Sequence, residues 1–300
     1  MAAEGDRSGI VSPVLTTRAR AKLNLSLYVV GRRPDGYHAL ESLVAFASVA
    51  DHLSLDPDKP EGLIVQGPFA SAAGEDQDNL VLKAVRQLRQ FKPALRCGHL
   101  TLTKYLPAQA GLGGGSADAA ATLRLLARLN GLSLDDPELL EAARLIGADV
   151  PVCLRSRPVM MRGIGDELGE PLNLPELHAV LVKPPVGMAT PEVFRQLGLE
   201  KGEQTNRLPH PECSATSAQG LIAHLHRLGN DLQAPAIAIG PVIGEALAAL
   251  SQQQGCRLAR MSGSGSAVFA LFESAAQAKN AAGLLAGTYG NWWVKPTVIG

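Results

Sequence analysis

The sequence contains no C-x-x-C pair. Its four cysteines, Cys97, Cys153, Cys213 and Cys256, are scattered, which argues against a disulfide framework or a zinc site and for reduced thiols in a cytosolic protein. Net charge is absent too: 28 basic residues meet 28 acidic ones. A general nucleic-acid or membrane-surface role is therefore unsupported, whereas a small anionic ligand needs only a local patch. No run reaches the ~18 apolar residues of a membrane span. Residues 1–12, MAAEGDRSGIVS, lack the basic start and apolar run of a signal peptide and read as a disordered tail. There is no internal repeat. His224-x-His226 has neither i,i+4 spacing nor carboxylate company, and reads as an exposed helix feature rather than a metal site. A soluble, cytoplasmic protein is expected.

Two phosphate motifs are missing as well. No lysine follows the glycines of GLGGGSAD (111–118), so there is no Walker A pattern, and G-x-G-x-x-G cannot be threaded through it. What stands there instead is PAQAGLGGGSADAAATLRLLARLN (107–130), with Gly111, Gly113, Gly114 and Gly115 running into Ser116 and an Ala/Leu-rich helical pattern. Glycines permit positive φ and a close backbone approach. The helix start adds unpaired N–H groups and the positive end of its dipole. Together they predict an anion site, and phosphate is the usual occupant. A merely flexible loop is the alternative, although such loops are usually Ser/Gly mixtures without a tight helix behind them.

Period-two alternation from Val14 to Val30 puts Leu23, Leu25, Leu27 and Val29 on one face and Lys22, Asn24, Ser26 and Tyr28 on the other, the pattern of a half-buried strand. Pro34-Asp35-Gly36 is turn chemistry, and Tyr37 and His38 follow it as either a platform for a planar ligand or packing residues. Strands are predicted at 43–56, 62–66, 100–104 and 178–183, and a strand and turn at 161–168. Helices are predicted after Asp78 or Asn79 as cap, over 117–129 with Asn130-Gly131 closing it, and over 137–146 with Asp135 or Asp136 as cap. A further helix starts with Thr190 as cap and Pro191 at its first position, and an Ala-rich helical region follows Asn230-Asp231-Leu232, broken at Gly240-Pro241. A Gly/Ser turn at 262–266 enters an apolar strand, and a helix over 274–286 and a strand from Trp292 to Ile299 finish the chain. Asp149, in a short constrained connection, either caps backbone N–H groups or faces a cleft. The mixture lacks strict βαβ regularity, so the fold class expected is α+β with two lobes, 13–163 and 164–300, and a cleft between them.

Four separated stretches converge on one resemblance. LPAQAGLGGGSADAAATL is similar to the second motif of the GHMP kinases. ARAKLNLSLYVVGRRPDGYHALESL resembles the amino-terminal signature of the branch acting on a cytidine-diphosphate-linked methylerythritol. IGADVPVCL resembles the segment with that branch's catalytic aspartate, RMSGSGSAVF the third motif, and NDL at 230–232 also fits. The departures are Gln109, where glycine or a small residue is usual, and Val152 or Cys153, where an aromatic is common.

The resemblance implies an amino-terminal nucleotide-binding lobe, a carboxyl-terminal ferredoxin-like lobe, and transfer of the γ-phosphoryl of ATP to the substrate's 2-hydroxyl. It implies that Asp149 takes the hydroxyl proton with Lys22 beside it. A carboxylate is a weak base toward an alcohol, so a neighbouring ammonium is needed to orient the hydroxyl and offset charge gathering on the oxygens. The ATP site would comprise Pro107, Ala110, Gly111, Leu112, Gly113, Gly114, Gly115 and Ser116, with Asn79 at the adenine and Ser116 offering its hydroxyl to Mg²⁺. Tyr37, His38 and Phe194 would hold the cytosine, and Asn24 and Thr190 the substrate's hydroxyl or phosphate groups. ATP, Mg²⁺ and one small-molecule acceptor are thus the expected partners, with no nucleic acid and no membrane. The rivals are a GHMP kinase for homoserine or mevalonate, which carry no base to stack, and a catalytically dead nucleotide-binding protein, against which the Lys22/Asp149 pair argues.

Overall fold

The computed structural model describes residues 13–74 and 79–300, so the expected tail 1–12 and the alternative cap Asp78 lie outside the described residues. The first part of the chain gives β1 (Leu15–Asn24), β2 (Tyr28–Arg32), β3 (His38–Asp56), β4 (Gly62–Gln66), α1 (Leu80–Phe91), β5 (His99–Thr103), α2 (Gly114–Asn130), α3 (Pro137–Ile146), α4 (Val150–Arg155), β6 (Val159–Gly163) and β7 (Glu167–Pro171). The second gives β8 (Leu177–Lys183), α5 (Thr190–Arg195), α6 (Ala218–His226), α7 (Gln233–Ile239), α8 (Val242–Ser251), β9 (Cys256–Met261), β10 (Val268–Phe272), α9 (Ala275–Thr288) and β11 (Trp293–Ile299).

The 19-residue β3 is the spine. Its first half pairs with β2 and β6, and its second half with β1 and β5. Ala47, midway along β3, meets Ile299 of β11, which joins the sheets of the two lobes into one. The second lobe runs β8, helices, β9, β10, α9, β11, with antiparallel order β11-β8-β10-β9. That is the split βαβ, ferredoxin-like topology the resemblance implies. A cut at 163/164 would divide the β6–β7 hairpin, since Arg162 pairs with Glu167.

β1 differs from the half-buried strand expected. Residues 21–24 are buried on both faces, because Ala21 and Leu23 join a core shared with Ala267 and Phe269 of the second lobe, while Lys22 and Asn24 are held against Asp149 and Ser42. Its polar row is enclosed rather than washed by water. A register shift against β3 between Arg20 and Lys22 marks a bulge, a device that re-aims the side chains beside it. α3 has the bounds expected, with Asp136 accepting from the N–H groups of Glu138 and Leu139. α2 begins at Gly114, three residues before the helix predicted from its Ala/Leu pattern, so two of the glycines belong to its first turn. His224, expected at the surface, is buried on the inner face of α6 while His226 is exposed.

Arg260 of β9 ties the lobes from within. Its guanidinium donates to the carbonyl oxygens of Leu25 at 2.7 Å, Leu225 at 2.9 Å and Leu228 at 2.7 Å. Burial pulls its pKa down to about 10. The three carbonyls would be left without these donors if the guanidinium were removed, and an orphaned buried acceptor costs about 1–3 kcal/mol. Arg260→Met is accordingly expected to destabilise the fold by about 2–4 kcal/mol, measured as a clear fall in Tm. An unchanged Tm would show that the latch contributes nothing.

Candidate active site

The glycine stretch turns into α2 through Gly113, which holds φ 62° and ψ 24° at the N-cap with no side-chain cap bond. α1, α3, α6 and α9 are instead capped by Asn79, Asp136, Ser217 and Ser274. Ala117 N–H is bonded to Gly113 O at 2.8 Å, so the N–H groups of Gly114, Gly115 and Ser116 precede the ladder. An uncapped 17-residue helix thus opens onto a cavity of about 1010 Å³ that is lined by all of Gly111 to Ser116. This is the arrangement that binds phosphate.

The glycines are required by what surrounds them. A Cβ on Gly113 would lie 3.2 Å from Lys22 Cβ and 3.9 Å from Asp149 Oδ2, and one on Gly115 would lie 3.0 Å from Leu80 Cδ1. On Gly111 it would lie 2.4 Å from Ser262 O, because the second Gly/Ser turn interlocks with the first. Ser262 Oγ donates to Gly111 O at 3.0 Å and accepts from Asn24 N–H at 3.1 Å, and Ala267 N–H donates to Ala110 O at 2.9 Å. Lys22 N–H donates to Leu112 O at 2.8 Å, pinning the loop to β1. Gln109 adopts φ 50°, in the left-handed region that favours glycine.

Lys22 and Asp149 meet as expected, Nζ to Oδ2, at 3.0 Å. Asp149 occupies the N-cap position of α4 but makes no cap bond, so of its two readings it faces the cleft. Asn24, 1% exposed, accepts from Lys22 Nζ through Oδ1 at 3.0 Å and donates through Nδ2 to Ser42 Oγ at 2.7 Å. Asn24 was expected to hold substrate, and its carboxamide is instead mainly engaged inside the protein. Behind the pair, burial pushes the Cys153 thiol up to about 12, so it is not a nucleophile.

Beneath the nest lies a cluster the sequence did not reveal. Lys104 Nζ donates to Asp51 Oδ2 at 2.5 Å and to Asp118 Oδ2 at 2.7 Å. Asp51 Oδ1 takes the N–H groups of Tyr105 at 2.5 Å and Leu106 at 2.8 Å, which anchors the approach to the loop. Burial pushes the Asp118 carboxyl up to about 8 against the pull of Lys104. For Lys104 burial works downward, but the two carboxylates outweigh it and the net direction is up.

Tyr37, His38, Thr190 and Phe194 line the same cavity, as do Asn79 and Pro107. His38 and Phe194 stack on each other with centroids 4.7 Å apart and planes 28° from parallel, so part of the Phe194 ring is already covered. Tyr37, 63% exposed, is the free ring. Burial, with the Arg32 cation, lowers the His38 pKa, and His38 Nε2 is buried with no partner. Thr190 is not the cap. Ala189 holds that position with extended backbone, and Thr190 Oγ1 lies 2.9 Å from Ser264 Oγ instead. Asn79 is the cap of α1 through Oδ1, which accepts from Val81 N–H at 2.9 Å. That leaves its Nδ2 for any adenine contact. Asn230 of the NDL match is structural: its Nδ2 donates to the carbonyls of Met261 and Gly263, holding the second Gly/Ser turn.

An uncapped helix over an ammonium–carboxylate pair defines a phosphoryl-transfer class, and comparison with known proteins agrees. The family model for the GHMP kinases N terminal domain matches residues 79–157, and that for the GHMP kinases C terminal matches 214–287. The chain belongs to the GHMP kinase family. It is 56% identical over 288 residues to 4-diphosphocytidyl-2-C-methyl-D-erythritol kinase of Methylobacterium radiotolerans, covering 95% of this chain and 99% of the relative. A crystal structure of 4-(cytidine 5'-diphospho)-2C-methyl-D-erythritol kinase superposes with TM-score 0.74 at 35% identity, covering 95% of this chain and all (100%) of that one. The mevalonate kinase of Methanococcus jannaschii, at 9% identity and TM-score 0.64 over 95% of this chain and 98% of its own, shares the fold alone.

The raised Asp118 pKa fixes the sign of a pH effect. A carboxyl whose folded pKa lies above its unfolded one stabilises fully below the unfolded value, roughly 3.9, and loses that contribution as pH rises through the folded value. With the folded value about 8, the window runs between the two. Asp118→Asn, which mimics the protonated form, is expected to gain Tm relative to the parent between pH 5 and pH 8. A difference in Tm that does not move with pH would assign Asp118 the opposite ionisation.

Proposed function

We propose that this chain transfers the γ-phosphoryl group of ATP to the 2-hydroxyl of 4-diphosphocytidyl-2-C-methyl-D-erythritol, giving the 2-phosphate and ADP for isoprenoid precursor synthesis by the non-mevalonate route. The observation that carries this reading is one continuous cavity in which a phosphate nest, the Lys22–Asp149 pair and the His38–Phe194–Tyr37 group follow one another. The order comes from local contacts. Gly114 and Gly115 adjoin Lys104 and Leu80, Gly113 adjoins Lys22, Gly263 adjoins Asn24, and Ser264 reaches Thr190 on the helix that carries Phe194. A cavity of about 1010 Å³ lies at the upper limit of the ~300–1,000 Å³ of single-ligand sites, which suits two ligands meeting end to end.

In this reading the N–H groups of Gly114, Gly115 and Ser116 hold the phosphates, Asn79 Nδ2 and the adjoining Pro107 face the adenine, and Lys22 bridges toward the transferred group. The substrate hydroxyl attacks phosphorus, its proton passes to the Asp149 carboxylate, and the bond to the β-phosphate oxygen breaks with ADP as leaving group. A loose transition state asks for late proton removal, so positioning carries much of the rate. His38, its pKa lowered by burial, faces the cytosine end of the cavity, and Tyr37 closes over the ring, a contact worth roughly 1–3 kcal/mol. Mg²⁺ belongs to the same reading: Ser116 Oγ would be its protein ligand, and the ion would supply positive charge against the phosphates. A cytoplasmic location is supported by four unpaired thiols.

ADP release measured with the cytidyl substrate, homoserine and mevalonate tests the assignment: turnover on the first alone is expected, and turnover on homoserine with none on the first would overturn it. Asp149→Asn is expected to lower kcat by about 10²–10⁴ with little change in KM for ATP. Near-normal kcat would remove Asp149 from the chemistry. Tyr37→Ala is expected to raise KM for the cytidyl substrate by about tenfold or more, from the stacking energy, and to leave KM for ATP unchanged. Equal effects on both would make Tyr37 a structural residue.

A further inference from the structure

The ammonium of Lys22 imposes a direction on every hydrogen bond that leads away from it. It carries only donors. The atom of Asn24 that faces it at 3.0 Å must therefore be the carbonyl oxygen, and the other end of the carboxamide is the NH₂ group. That group lies 2.7 Å from Ser42 Oγ, so Ser42 must accept. The single proton of Ser42 is then sent to Ser26 O at 2.6 Å, a carbonyl that can only accept. All of these side chains are buried: Asn24 is 1% exposed and Ser42 fully enclosed. The chain has one polarity. An amide in the middle also prevents it from relaying protons, which leaves orientation as its role.

We infer that Ser42 is a positioning residue for phosphoryl transfer. Its hydroxyl, committed as a donor to Ser26 O, offers Asn24 nothing but an acceptor, and this locks the carboxamide with its oxygen toward Lys22. The ammonium is held between Asn24 Oδ1 and Asp149 Oδ2, with its third N–H left for the reacting oxygens. Gly263 leaves the room this needs, since a Cβ there would lie 3.2 Å from Asn24 Oδ1. Without an acceptor at position 42 the buried NH₂ group loses its partner, the carboxamide turns to find another, and Lys22 loses one of its two fixed contacts. The inference rests on the function proposed above.

Steady-state kinetics on the full chain with ATP and the cytidyl substrate test it. Ser42→Cys keeps the shape of the side chain, at a somewhat larger volume, but replaces oxygen with a weak acceptor. It is expected to lower kcat by about 10–100-fold, the scale of a small misplacement of a reacting group, with both KM values within about threefold of the parent. Ser42→Thr, which retains the hydroxyl, is expected to restore kcat to within about threefold. In an Asn24→Ala background, Ser42→Cys is expected to lower kcat no further, because both changes act through one contact. A kcat for Ser42→Cys within about twofold of the parent, or losses that multiply in the double variant, would overturn the inference. Should Ser42→Cys fail to fold, side-chain amide exchange in the parent decides. The Asn24 NH₂ resonance, identified by its loss in Asn24→Ala, is expected to exchange slowly, and rapid exchange would refute the lock. Absence of turnover by the parent strikes the proposed function, whereas parent turnover with an unaffected Ser42→Cys strikes only this role.

Discussion

An ammonium and a carboxylate that meet beside a residue with no side chain are the constraint on which the rest of this structure depends. Lys22 arrives on β1 and Asp149 at the start of α4, and they close to 3.0 Å against Gly113, the residue that turns the loop into α2. Any side chain at 113 would press on Lys22 and would also have to adopt φ 62°. The positive end of α2 and the reacting pair are thereby forced into one small volume. Phosphoryl transfer needs this placement more than it needs a strong base.

Holding that geometry takes a second Gly/Ser turn and a buried polar chain. Ser262 bonds both Gly111 O and Asn24 N–H, so the phosphate loop and the substrate strand share one hydroxyl. Asn230 fixes the same turn from the far side, and Arg260, one residue before Met261, draws the β1–β2 connection toward α6. These contacts come from both lobes and converge on residues 22–25. The continuity of β3 with β11 makes the convergence rigid, since the lobes share one sheet rather than a flexible linker.

Much of this was legible in the sequence where a residue type has one strong local reason to be where it is. The bounds of α3 follow from Asp136 and Pro137. The glycine loop and the Lys22–Asn24 face follow from spacing alone. The failures are equally physical. Six-residue α4 is too short to show a period, so Asp149 read as a connection. Thr190 lost the cap to Ala189 because its hydroxyl is engaged by Ser264 across the cavity, a contact no local rule reports. Asp51, Lys104 and Asp118 each look like a single charge on a different element. They become a cluster only when β3, β5 and α2 pack. His38 and Phe194 were both assigned to the cytosine, but that they stack on each other is decided by the packing of α5 against β3.

The cluster under α2 also explains why a phosphate nest manages without a lysine in its own sequence. Lys104 stands close to the nest, with its Nζ 3.7 Å from where a Cβ of Gly114 would be, but two carboxylates claim it. Burial raises the Asp118 pKa and, against burial, the two carboxylates raise that of Lys104, so the charges of the cluster are largely spent on one another. In the function proposed above, attraction for the anion then falls to the N–H groups of Gly114, Gly115 and Ser116, the helix dipole and Lys22. Lys22 is the lysine that a Walker A loop would carry in sequence, delivered here from a strand. Because it comes from that strand it touches Asp149 and lies against Gly113 of the loop together, which a lysine fixed within the loop would not do.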